Sequence, residues 1–142
     1  MIYSLKHATG RFEMRKIKFR AKAIVNDIHN SIKVGDFVYG QYIESGCDAP
    51  CIIFGDGEQI EVDRKTLGQL IGEKDCSGNS VYEGDIVSKH LIDNSVHQCV
   101  VRYSEKYAKF VYCPILEKWD FDRDVVSDPW ERKGYKVVST IH

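Results

Sequence analysis

The sequence predicts a mainly β protein, a barrel or roll of short strands with little helix. Three observations predict it. Apolar and polar residues alternate with a period of two along Arg15 to Ala23; short β-type runs recur between turn signals over the rest of the chain; and no segment sustains a convincing helical pattern. In the first run, Ile17, Phe19, Ala21 and Ala23 face one way and Lys16, Lys18, Arg20 and Lys22 the other, as a half-buried strand requires. Strand-like runs follow at Asp36 to Ile43, Cys51 to Phe54 and Gln59 to Val62, the last two joined by Gly55-Asp56-Gly57, a hairpin signal. Asp63 is placed to cap one helical turn through Leu67, and Gly68 stops it from growing. Leu70 to Lys74 and Val81 to Val87 flank Asp75-Cys76-Ser77-Gly78-Asn79, residues that tolerate positive φ, and so read as strand, turn, strand. Gln98 to Ser104, Ala108 to Cys113 and Lys136 to Ile141 complete the set.

A chain of 142 residues suits one ordinary domain or two very small ones. Its mixed composition, 43% apolar and 29% charged, excludes disorder, collagen and coiled coil. The longest uncharged apolar block is about Cys51 to Phe54, far short of a membrane span, so no membrane partner is expected. The first residues lack the apolar core of a secretory signal, and the five cysteines are odd in number and mostly scattered. Both observations point to a reducing cytoplasm. Up to Lys33 eight basic residues stand against two acidic ones, a charge of +6, which leaves −7 on the remainder of a chain whose total is −1. A basic head thus precedes an acidic body, a pattern that suits neutralisation within the fold or between copies ahead of a polyanion site.

Six stretches carry a family resemblance. Met14-Arg15-Lys16-Ile17-Lys18-Phe19-Arg20-Ala21, Val38-Tyr39-Gly40, Glu61-Val62-Asp63, Thr66-Leu67-Gly68-Gln69 and Tyr82-Glu83-Gly84-Asp85-Ile86-Val87 occur in order, with Leu70-Ile71-Gly72-Glu73-Lys74-Asp75 after the Gly-Gln pair. This combination resembles the YopX family of phage and prophage proteins. The resemblance implies a mostly β fold whose C-terminal part is similar to an SH3-type barrel, with Gly84-Asp85-Ile86-Val87 leading into an early barrel strand. It brings no catalytic residues with it. Family members commonly begin near the position of Met14, which marks 1–13 as an N-terminal extension; 14–75 is then the N-terminal β region and 76–142 the barrel-like region. Arg64 stands where the family often has Pro, and beyond about Lys89 the resemblance fades.

Four sets of residues bear on chemistry. Lys16, Lys18, Arg20 and Lys22, about 6.6 Å apart along one strand face, are spaced to follow a phosphate backbone or to protect an exposed edge from aggregation. Phe19 points away from them, which favours the edge, since nucleic-acid platforms interleave aromatics with cations. In the acidic run Asp120 to Glu131, oxygens fall at loop positions one, three, five, nine and twelve of a calcium loop, but the sixth position, which needs Gly, is Val125. Cys47-x3-Cys51, with Cys76, Cys99, Cys113, His90 or His97, makes only one loose pair of zinc ligands, and Cys99 and Cys113 suit buried strand positions. Neither metal nor cofactor is therefore expected. No nucleophile turn surrounds a Ser or Cys, and His29, His90 and His97 sit in polar context. Finally Tyr103, Tyr107, Phe110, Tyr112, Trp119, Phe121 and Trp130 crowd the last third, where Tyr103, Tyr107, Tyr112, Trp119 and Trp130 are candidates for a partner groove.

These observations favour a cytoplasmic, phage- or prophage-derived, non-catalytic protein-binding or regulatory module. A protein partner or a second copy of the chain is expected ahead of nucleic acid bound by Lys16, Lys18, Arg20 and Lys22. The rival from another class is a small metal-dependent hydrolase using Asp85, Asp120, Asp122 or a cysteine. An open aromatic groove would mark the module, and convergent polar groups in a closed apolar pocket would mark the enzyme.

Overall fold

The alternation at the start of the chain becomes β1 (Phe19–Ala23), which is not an edge strand. In the computed structural model, which describes residues 17–44, 49–115, 125–126 and 132–142, β1 pairs antiparallel with β2 (Phe37–Ile43) on one side and with β4 (Glu58–Lys74) on the other. β2 also pairs with β3 (Cys51–Phe54), and β3 pairs with β4. These four strands therefore close on themselves. Ala21, Ala23, Val38, Ile52, Ile60 and Val62 fill the interior, with Phe19, Tyr42, Phe54 and Leu67 packed against them. The barrel is narrow enough that β2 needs Gly40: a Cβ there would lie 1.9 Å from the Ile53 carbonyl oxygen. The Gly55-Asp56-Gly57 turn joins β3 to β4 as its residues predict, with Gly55 and Gly57 both at positive φ.

β4 is long because it serves three neighbours in succession. Glu58–Glu61 pair with β3, Val62–Asp63 and Gly68–Gln69 with β1, and Leu70 and Lys74 with β5 (Ser80–Tyr82). The helical turn expected from Asp63 to Leu67 is an irregularity within this strand instead. Asp63 Oδ1 accepts from the Lys65 amide, and Thr66 Oγ1 donates to the Asp63 carbonyl while accepting the Lys22 amide at 2.8 Å. The β1–β4 register slips at this point. The Lys22 N–H, left without a ladder partner by the slip, is satisfied by a side chain, so barrel closure overrides the local capping signal.

The second sheet has the order β8-β7-β6-β9, formed by β6 (Asp85–His90), β7 (Val96–Ser104), β8 (Lys109–Pro114) and β9 (Lys136–Thr140). All of its pairings are antiparallel. The described pairings establish a mainly β protein of two antiparallel sheets, the coarser form of the SH3-type expectation. Among the described residues there is no helix. The run Val81 to Val87, read as one strand, breaks at Gly84 (φ +91), where the chain passes from one sheet to the other. Val81, Val87, Cys99, Val101, Tyr112 and Tyr135 form the second core, joined by Ile71, Val126 and Val137. Ile71 and Val81 come from β4 and β5, so the end of the first sheet roofs the second core.

Asp75 fastens this roof. Its carboxylate accepts from the Ser77 and Asn79 amides of the turn and, through Oδ2, from the Val137 amide on β9 at 2.9 Å. Burial pushes its carboxyl up, but the backbone donors of Val137, Asn79 and Ser77 outweigh burial and hold it below its ordinary value.

The outward face of β1 meets the β5–β6 corner rather than water, which corrects the expectation that Arg20 joins an exposed cationic row. Arg20 is 6% exposed, and its Nη2 donates to Asp85 Oδ1 at 2.5 Å. Asp85 Oδ2 accepts the Tyr82 amide at 2.8 Å. The guanidinium lies over the rings of Phe37 at 4.5 Å and Tyr82 at 4.9 Å.

Two outcomes are expected. Replacing Asp85 by Ala leaves a buried guanidinium and the Tyr82 N–H without their acceptor, and should cost about 3–5 kcal/mol in urea unfolding; a loss below about 1 kcal/mol would contradict the pair's role. Because the folded Asp75 carboxyl titrates below its unfolded value of about 3.9, it adds stability above that pH and loses it as pH falls through the folded value. The urea midpoint should drop from pH 5 to pH 3, and Asp75→Asn should be less stable at pH 6 with a shallower drop.

Candidate functional site

The strand register puts Cys99, Val101 and Tyr103 of β7 on the same face as Phe110, Tyr112 and Pro114 of β8. Val101 and Tyr112 lie within the second core, and the next pair along, Tyr103 and Phe110, continues the same face past the end of the roof. Their rings meet edge-on with centroids 5.4 Å apart, and Tyr103 is 48% exposed. Together with Ile71, Glu73, Ala108, Lys109 and Arg132 they line a cleft of about 290 Å³. The tight connection beneath it holds Ala108 at φ +52 and is pinned by the Tyr107 amide donating to Ser104 Oγ at 3.2 Å.

Two of the polar groups of the cleft, Glu73 and Arg132, are paired with each other. Arg132 Nε lies 3.2 Å from Glu73 Oε1, and Arg132 Nη1 donates to the Phe110 carbonyl at 2.8 Å. The Tyr112 hydroxyl donates to Glu73 Oε1 at 3.2 Å, while the Arg132 guanidinium lies 5.5 Å over its ring. Burial first, and the Glu73 carboxylate second, push the Tyr112 hydroxyl well above its ordinary value. It is a neutral donor, not a base. The arrangement stiffens an aromatic wall; it does not aim a reactive group at the opening.

The aromatics expected to form a partner groove therefore divide. Tyr103 lines the cleft. Tyr112, at 2% exposure, is core, because its place on the strand lies one pair further in. Tyr107 is half-buried in the connection, with the Lys106 ammonium 5.5 Å over its ring. Trp119 and Trp130 fall outside the described residues. Phe110, Ile71, Glu73 and Arg132 were not singled out as groove residues from the sequence. Phe110 shares the strand parity of Tyr112, a usable signal; Ile71 and Arg132 reach the cleft only through tertiary contact.

The cationic row is also divided. Lys16 lies outside the described residues, Arg20 is buried against Asp85, and Lys22 is half-buried with its ammonium donating to the His142 carbonyl. Lys18 is exposed, 5.8 Å over the Tyr39 ring. Tyr39 and Phe37 stand opposite Arg20 and Lys22 in the β1–β2 register, so aromatics do flank the cations, supplied by the neighbouring strand.

The family model for the YopX protein matches residues 11–142. The chain belongs to the YopX family. Among curated proteins none matches it. The family match runs well past Lys89, so both sheets and all the cleft residues of this YopX chain lie inside it.

The groups an enzyme would use are placed as follows. Asp85 is occupied by Arg20 and the Tyr82 amide, and Asp120 and Asp122 lie outside the described residues. Of the acidic run, Val125 and Val126 are described, and Val126 exchanges two backbone hydrogen bonds with Tyr112. His97 Nδ1 sits 2.5 Å from the Tyr135 hydroxyl, with Cys99 Sγ 3.9 Å away. Burial pushes the Cys99 thiol up to about 11, the opposite of what activates a nucleophile. Among the described residues no three His, Cys, Asp or Glu side chains are grouped to hold a metal ion. Nor is any helix among them long and apolar enough to cross a membrane. With iodoacetamide at pH 8, the exposed Cys76 should be alkylated at least about 100-fold faster than Cys99, as peptide mapping would show; comparable rates would mean that the Cys99 thiol is activated after all.

Proposed function

We propose that this YopX-family protein is a non-catalytic protein-binding or regulatory module whose partner inserts an apolar side chain into the cleft beside Tyr103, Phe110 and Ile71. One observation carries this: an aromatic face continuous with the second core runs into an open cleft whose Glu73 and Arg132 are already paired with each other, with Lys109 exposed on its rim. Burying one aliphatic or aromatic side chain there is worth about 1.5–3 kcal/mol, enough for an anchor though not for a whole interface. An enzyme would need polar groups left free to converge on a substrate, and Glu73 and Arg132 hold each other instead. A phage or prophage origin and a cytoplasmic site of action complete the proposal, supported by the quoted motifs and the scattered thiols.

Nucleic acid is a second reading, favoured by Phe37 and Tyr39 beside Lys18 and Lys22. It ranks lower because tracking a phosphate backbone takes several exposed cations, and Arg20 and Lys22 are engaged within the fold.

Selection of peptides from a random display library against the intact protein tests the proposal. The selected peptides should share one large apolar anchor and lose at least about tenfold in affinity on Tyr103→Ala or Phe110→Ala, while the distant surface change Lys65→Ala leaves affinity unchanged. Peptides that bind Phe110→Ala as well as the original would place the binding surface elsewhere.

A further inference from the structure

The connection between β1 and β2 exposes an isoleucine that the fold has no use for. Ile28 is 93% exposed at the tip of a loop that is otherwise tightly tied down. Asp27 and Ile32 exchange backbone hydrogen bonds at 2.8 and 2.9 Å, and the Ser31 amide donates to the Ile28 carbonyl with Ser31 at φ +57. Asn30 bonds Asp27 through its own amide and side chain and reaches Glu58 as well, while the Val34 amide donates to Asn26 Oδ1. A loop held this firmly loses little conformational entropy when its tip is buried by another molecule. The carboxylates of Asp27 and Glu58 both converge on Asn30 beside the tip, with the exposed His29 next to Ile28, so the flank carries more acid than base.

The cleft described above has the complementary character. Its wall is apolar and aromatic, Glu73 is neutralised by Arg132, and Lys109 stands exposed on its rim. Resting on the reading of that cleft as a binding site, we infer that the partner it takes is a second copy of this chain, with Ile28 of one copy seated between Tyr103, Phe110 and Ile71 of the next and Asp27 and Glu58 facing Lys109. Tip and cleft are different surfaces, so the contact is head-to-tail and each added copy leaves one tip and one cleft free. A second exposed tip residue, Ile92 at 105% exposure, lies in the β6–β7 hairpin, where Asp93 is bonded to Ser95 and Lys89 and His90 precede it. That tip carries the single carboxylate of Asp93, whereas two converge beside Ile28.

Sedimentation velocity between about 10 µM and 1 mM, a range the contact reaches only if the Ile28 anchor and the charge pairs to Lys109 act together, tests this. The wild-type average mass should rise with concentration, as should that of Ile92→Asp. Ile28→Asp and Tyr103→Glu should each remain monomeric. An equimolar mixture of those two variants should form complexes of two chains and no larger, because only one intact tip and one intact cleft remain to meet. Should Tyr103→Glu fail to fold, Lys109→Glu takes its place, with self-association weakened several-fold. A wild-type chain that stays monomeric at 1 mM, an Ile28→Asp chain that assembles normally, or a mixture that stays monomeric would each overturn the inference. Display-selected peptides that still depend on Phe110 in that event would leave the cleft as a site for another protein; peptides indifferent to Phe110 would remove the cleft itself.

Discussion

The buried pair of Arg20 and Asp85 is the contact on which the relation between the two sheets depends. Burying two charges is costly in itself, and Arg20 Nε has no hydrogen-bond partner to offset its desolvation. What the pair supplies is position. A guanidinium can satisfy Asp85 Oδ1, reach Thr140 Oγ1 at 3.3 Å and stack between Phe37 and Tyr82 only when β1, β2, the β5–β6 corner and β9 all hold their observed places. Gly68 belongs to the same arrangement, since a Cβ there would come within 2.4 Å of the Glu83 carbonyl oxygen and force the corner away from β4.

That pair also marks where sequence reasoning stops. Alternation along β1 is enough to place Phe19, Ala21 and Ala23 against a core, whereas Ile17, read on the same face, precedes the strand and is exposed. The same alternation is silent about what the polar side meets. A row of cations looks identical whether it faces water or a second layer, and the carboxylate that decides the matter lies 65 residues away. Family resemblance highlights the Gly84-Asp85 turn without saying that its aspartate is spent on Arg20. Asp63 to Leu67 shows the converse failure, a sound local capping signal overridden because β1 needs a ladder partner on that side.

The cleft was half legible for a related reason. Aromatic crowding in the last third identified Tyr103, but Tyr103 and Tyr112 share one sheet face and differ only in how far along it they stand. Composition cannot separate them; the length of the roof can. Ile71, Val81, Tyr135 and Val126 cover Val101 and Tyr112, and among the described residues the cover ends before the next cross-strand pair. A face extending past its cover into water would ordinarily change to polar residues at that point. Here it stays aromatic, while Glu73 and Arg132, two of the three charged residues of the cleft, are turned toward each other and toward Tyr112 and the Phe110 carbonyl. Tyr103 and Phe110 therefore stand outside the second core. On the proposed reading, their persistence beyond the roof answers to a side chain arriving from outside, and the tied-down tip at Ile28 is the surface of this chain proposed to supply it.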